Sequence, residues 1–207
     1  MARNRTVHTI IGLLNGILPI LFWMSLIFGF EENGMAIATV AAALIHESGH
    51  YLYITFVGGK AGLRGVISGF RIKTDGILSY QKEMMLYMWG PLSNILASVL
   101  LLVPCIAFGG VFQKLITANI ITALSNLLPI KGYDGYGVIR SIIMKNDCSD
   151  LMEGALSIIS SVLIFSLCML SLYFIDRFGG GYWIFAVFFI SMIKELSNRL
   201  QNSKIEN

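Results

Sequence analysis

Five consecutive residues, His46-Glu47-Ser48-Gly49-His50, are the first in the chain whose types and spacing suit chemistry. On a helix, residues four apart stand one turn above each other on one face, so His46 and His50 can offer two imidazole nitrogens to a single metal ion. Glu47 then lies beside that ion. A zinc ion held in this way lowers the pKa of a bound water to about 7, and a neighbouring carboxylate can take the water's proton as it attacks a carbonyl carbon. Zinc-dependent peptide hydrolases place this H-E-x-x-H spacing on a helix. The ordinary alternative is three polar side chains hydrogen-bonded to one another inside a helix bundle.

The setting of the motif favours the metal. The chain has 207 residues, of which 56% are hydrophobic and 13% charged, and its mean hydropathy is +0.73. Soluble globular chains carry roughly 25% charged residues, so the composition is that of a membrane protein. Large soluble enzyme folds, disordered tails and nucleic-acid binders are excluded, since a formal charge of +3 on so apolar a chain is no electrostatic footprint. Two imidazoles and a carboxylate in a spanning helix cost several kcal/mol unless they are used, which makes such residues functional candidates by default. The three cysteines lack metal-ligand spacing and are odd in number. Cys105 and Cys168 read as packing atoms within apolar runs, and Cys148 as a free thiol in a polar loop.

Apolar stretches that reach or approach the ~20 residues of a spanning helix run over Val7–Phe30, Met35–Val57, Met84–Phe108, Val111–Leu128, Leu151–Ile175 and Tyr182–Ile193. The expected fold is therefore an all-α polytopic membrane protein of about six transmembrane helices, in one domain spanning 1–207. Met1 to Arg5 resembles the start of a signal peptide, but no small-residue cleavage pattern follows Phe30, so the stretch reads as a retained first helix. With both termini in the cytoplasm, only Lys114 and Arg177 of the basic residues fall outside, as the positive-inside rule requires.

Two intervals break the helical pattern. Gly58-Gly59 ends the second span, and Phe70–Thr74 and Ile77–Tyr80 about Asp75-Gly76 read as a small β-hairpin at the cytoplasmic face. From Asn126 to Gly137, Pro129, Gly132, Gly135 and Gly137 cannot continue a regular helix. Irregular backbone at membrane depth needs protein or a wet cavity to satisfy it, which points to a site. Catalytic zinc takes a third protein ligand and keeps a position open for water. The acidic candidates are Asp75 on the presumed turn, Glu83 at the foot of the third span, and Asp134. Asp134 stands apart because it follows the broken end of the fourth span and can cap a helix over Gly135–Lys145. The span polarity also puts it at the depth of His46 and His50.

Asn126-Leu-Leu-Pro129-Ile-Lys-Gly-Tyr-Asp134-Gly135 resembles the N-x-x-P-x-x-x-x-D-G motif of the site-2 protease family, the intramembrane zinc metalloproteases of peptidase family M50. His46, Glu47 and His50 match that family's other signature, and Gly90-Pro91-Leu92-Ser93-Asn94 resembles its G-P-x-x-N element. The motifs stand in family order, and two distant motifs together are far more specific than either alone. The resemblance covers most of the chain, from about the first span to Arg199.

The resemblance implies that His46, His50 and Asp134 bind one Zn2+ and that Glu47 is the general base. It gives Asn94 and Asn126 a part in holding substrate or the site's backbone, for which the plain alternative is interhelical hydrogen bonding. Pro129 and Gly135 shape the loop. The chain departs from many relatives in having Lys131-Gly132-Tyr133 before the Asp, with no second Pro, and Tyr136 after Gly135, which leaves local loop geometry open but not ligand identity.

The implied substrate is a transmembrane protein or peptide in the lipid bilayer, reaching the site laterally past the first and last helices; the hairpin's edge could extend it by pairing, the plain alternative being a lid or interfacial hairpin. Gly179-Gly180-Gly181 would let the last helix shift, the plain alternative being a tight outer loop. His8 reads as an interfacial residue. The expectation is a bare catalytic core without PDZ or CBS domain, nearest the sporulation-factor-processing branch, with a regulatory membrane protein as a possible partner. Two rivals stand beside it: an inactive scaffold of the same fold, and a metal transporter using the same side chains as a relay.

Overall fold

The computed structural model describes residues 35–58, 61–66, 69–74, 78–146, 150–178, 188–189 and 192–193. By internal contact the chain divides into two compact units, Met1–Asn126 and Leu127–Asn207. The predicted span Val7–Phe30, most of Tyr182–Ile193, and His8, Asp75, Cys148 and Gly179–Gly181 lie outside the described residues.

In the first unit, helix α1 (Met35–Phe56) is followed by strands β1 (Ala61–Val66) and β2 (Gly69–Thr74), then by helices α2 (Tyr80–Phe108) and α3 (Val111–Asn126). The three helices pack on one another pairwise, and both strands approach α1. Helix α1 turns a stripe of four-residue period inward: Ala38, Ala42, His46, His50 and Ile54 are all buried. The alanines admit close neighbours, with Ala38 and Ala42 meeting Ala118 of α3. The two histidines continue the same seam, so helical periodicity alone delivers them to the interior.

Helix α2 has its polarity reversed relative to a soluble helix. Its buried residues are Gly90, Pro91, Asn94 and Ser98, while Leu92, Leu96, Val99, Leu100, Val103 and Ile106 are exposed. Only 17% of its most apolar window is buried. Small and polar residues inside, with large apolar ones outside, is how helices associate in lipid, where water drives nothing together. Among the described residues two helices are long and apolar enough to cross a membrane, Tyr80–Phe108 and Leu151–Arg177.

β1 and β2 pair antiparallel with Ala61 opposite Thr74 and Val66 opposite Gly69. This corrects the expected hairpin. Phe70–Thr74 is a strand, but its partner precedes it, and Tyr80 of the expected second strand opens α2. The apolar run behind Tyr80 carries it into the helix, with Ser79 as N-cap in extended conformation.

The second unit holds helices α4 (Asp134–Lys145) and α5 (Asp150–Phe178), joined by a cluster of Tyr136, Ile143 and Leu156 and by an Arg140 Nε–Glu153 Oε1 ion pair of 2.7 Å. Partly exposed as it is, that pair contributes at most about 1 kcal/mol. The N-cap of α4 is Tyr133, not the expected Asp134, which is already in the first turn. A carboxylate there faces the positive end of the helix dipole without needing cap geometry.

Candidate functional site

In the first unit, His46 and His50 are 5% and 8% exposed. Their Nε2 atoms lie 3.3 Å apart and the rings meet edge to face. His50 Nδ1 is 2.8 Å from the carbonyl oxygen of Leu86, and His46 Nδ1 is 2.8 Å from Asn94 Oδ1. A carbonyl oxygen only accepts, so His50 carries its proton on Nδ1. Asn94 Nδ2 donates to Ala42 O at 2.8 Å, a backbone acceptor that fixes which end of the amide is which. Asn94 Oδ1 therefore accepts, and His46 also carries its proton on Nδ1. The two Nε2 atoms face each other at 3.3 Å, and a ligating histidine characteristically donates its other ring N–H to such a carbonyl.

The sequence around α2 explains how the pair is held. At Gly90 a Cβ would strike His50 Nε2 and come within 2.6 Å of His50 Cε1 and 2.8 Å of His46 Cε1. Only glycine leaves room for both rings. Pro91 has no N–H for the Tyr87 carbonyl and loosens the turn beginning near Leu86, whose oxygen His50 uses. Gly49 lets α2 approach: a Cβ there would strike Trp89 O and lie 2.6 Å from Ser93 Oγ, and Ser93 Oγ donates to Ile45 O at 2.9 Å. Glu47, adjacent to His46 in the chain, is partly exposed and so open to a small molecule.

Asn126 ends α3 and its Nδ2 donates to Thr122 O at 3.0 Å, within its own helix. Asn94 is fully buried, with Nδ2 donating to Ala42 O and Asn119 Oδ1 at 2.8 Å each. That leaves the interior of the helix seam, and not a substrate, as its surroundings. Of the sequence-derived candidates, the first unit thus brings His46, His50 and Asn94 together.

In the second unit, residues 127–133 are irregular, with Ile130 N donating to Leu128 O, Tyr133 N to Ile130 O, and Gly132 at φ 101°. Pro129 lies in this loop and stops the preceding helix from continuing. Ile130 is fully buried. Lys131 N donates to Ser160 Oγ of α5 at 2.8 Å. Gly135 sits so close beneath the loop that a Cβ would strike Leu127 O. The Asp-Gly pair therefore sets after Asp134 the one residue that fits against the Leu127 carbonyl. Asp134 Oδ2 is buried. Lys131, Tyr136, Arg140, Glu153, Gly154 and Ser157 line an open polar cavity of about 510 Å³.

By the chemistry of their donors, two imidazoles and a carboxylate, His46, His50 and Asp134 can hold a metal ion. Glu83 stands in the first turn of α2 and takes a 3.4 Å hydrogen bond from Tyr87 Oη. Sequence reasoning missed Asn119 and Ser160, polar residues in apolar runs whose partners depend on which helix faces meet.

No protein-family profile matches the chain, and no curated protein sequence matches it significantly. Among solved structures it is similar to the site-2 protease from Methanocaldococcus jannaschii, with a TM-score of 0.60 and 20% identity over 89% of this chain and 87% of that one. At that identity the likeness is one of fold.

Proposed function

We propose that this chain is an intramembrane zinc metalloprotease that hydrolyses a peptide bond within or next to a transmembrane segment of a membrane-bound substrate. The observation that carries the reading is the buried imidazole pair, with each Nδ1 against an oxygen acceptor and the two Nε2 atoms 3.3 Å apart. The fold shared with a site-2 protease supports it. So do the apolar exteriors of Tyr80–Phe108 and Leu151–Arg177.

In this reading His46, His50 and Asp134 would hold one Zn2+, which when bound would supply Lewis acidity to activate water at neutral pH and polarise the scissile carbonyl. Glu47 accepts the water's proton on its carboxylate and returns it to the leaving amide nitrogen. The loop of Asn126, Pro129 and Gly135 sets the placement of Asp134. A helical substrate hides its carbonyls, so it must be extended locally, and the outer edge of the β1–β2 ribbon is the proposed template. The chain is read as multi-pass in a cell membrane with both termini cytoplasmic. Its Asn-Leu-Leu-Pro run supports a place near the sporulation-factor-processing branch.

The test measures zinc content and cleavage of reconstituted single-span membrane peptides for the natural protein, Glu47→Gln, Asp134→Asn and Asp75→Asn. Glu47→Gln should keep its metal and lose cleavage by at least about a hundredfold. Asp134→Asn should lose both, and Asp75→Asn neither. Zinc flux into vesicles that survives Glu47→Gln would favour the transporter. Metal-loaded natural protein that cleaves nothing in the panel would favour the scaffold.

A further inference from the structure

The amide of Asn94 lies between a proposed metal ligand and a second buried amide. Asn94 Oδ1 accepts from His46 Nδ1, and Asn94 Nδ2 donates to both Ala42 O and Asn119 Oδ1. Asn119 Nδ2 in turn donates to Leu115 O at 2.8 Å. Both asparagines are 0% exposed. Each asparagine donates to a backbone oxygen that can only accept, Ala42 O for Asn94 and Leu115 O for Asn119, so each amide has one allowed orientation.

This order matters because His46 has a competing arrangement. His50 Nε2 presents a lone pair 3.3 Å from His46 Nε2. If the proton of His46 moved from Nδ1 to Nε2, it would point at His50 Nε2 and take the place of the lone pair that a metal ion needs. What disfavours that tautomer is an acceptor facing Nδ1. Flipping the Asn94 amide would remove the acceptor, and it would also set its oxygen against Ala42 O and Asn119 Oδ1 together.

We propose that Asn119 and Asn94 are positioning residues that hold His46 in its Nδ1–H tautomer, keeping its Nε2 lone pair available to a metal ion. The proposal rests on the metalloprotease reading for its purpose, but the tautomer itself is a property of the metal-free chain. Three histidines make it readable.

The experiment uses the full chain labelled with 15N in the histidine rings, reconstituted in lipid, metal-free and then titrated with Co2+. In the metal-free natural protein, the His46 and His50 signals should both report protonated Nδ1 and bare Nε2, with assignment by His46→Gln and His50→Gln. Asn94→Leu should transfer the His46 proton to Nε2 and weaken Co2+ binding about 10- to 100-fold. Asn119→Leu should give a mixture of tautomers and an intermediate loss. Asn119→Asp should behave as the natural protein, because its neutral acid keeps a donor toward Leu115 O and an acceptor toward Asn94. If Asn119→Leu does not fold by circular dichroism, Asn119→Ala replaces it.

A merely structural role would lower thermal stability in the leucine variants and leave the tautomer unchanged. That outcome, or a His46 already protonated on Nε2 in the natural protein, overturns the proposal. A tautomer that shifts as expected in a protein that never binds Co2+ or Zn2+ would uphold the positioning role and sink the metalloprotease reading instead.

Discussion

Glycines at two positions decide what the site's side chains can do. At Gly90 the would-be Cβ meets both imidazoles, so Gly90→Ala should weaken metal binding by tenfold or more, with helical content unchanged, as measured by competition with a chromogenic chelator. At Gly135 the obstacle is the Leu127 carbonyl, which cannot swing aside as a side chain can. Gly135→Ala should therefore destabilise the fold by up to about 3 kcal/mol, visible as a lowered midpoint in detergent unfolding. The two motifs containing these glycines were legible in the sequence, yet only the backbone shows that one glycine clears room for two imidazoles and the other for a carbonyl.

The helices were largely legible because an apolar run announces its own ends. Met35–Val57 was expected against the observed Met35–Phe56, and Val111–Leu128 against Val111–Asn126. Legibility failed where two local signals competed. Asp75-Gly76 is a strong turn pair, but the strand before it pairs backward with Ala61–Val66 across Val66 and Gly69, and nothing local in Ala-Gly-Leu-Arg-Gly-Val marks that segment as a strand. Asn119 and Ser160 were illegible for a different reason: a single polar residue in an apolar run has no partner until two helices meet. If the ribbon offers its outer edge to substrate, proline at Ile72 in β2 should reduce cleavage of a helical substrate several-fold while zinc content stays normal. Unchanged cleavage would remove the ribbon from substrate handling.

Across the molecule, the exposure of large apolar residues sets the solvent it requires. Leu100, in the middle of α2, is 66% exposed, and a soluble protein would not tolerate a whole helix face of this kind. Leu100→Lys should impair membrane insertion by roughly 2.5–3.5 kcal/mol on translocon scales, measured as the fraction glycosylated or protease-protected in a microsomal assay. Lysine on the outer face of a water-soluble helix would change almost nothing. Orientation is testable at the same scale: in a cysteine-free background, Lys114→Cys should react with impermeant maleimide only from outside intact cells, and Lys145→Cys only after the membrane is opened.

Ser160 is fully buried in α5, and its hydroxyl takes the amide hydrogen of Lys131. The segment ahead of Asp134 is thus stitched to its neighbour through an oxygen atom on a largely apolar helix. Unpicking it leaves a peptide nitrogen seeking water, so a slack strap and a wetter interior should arrive together.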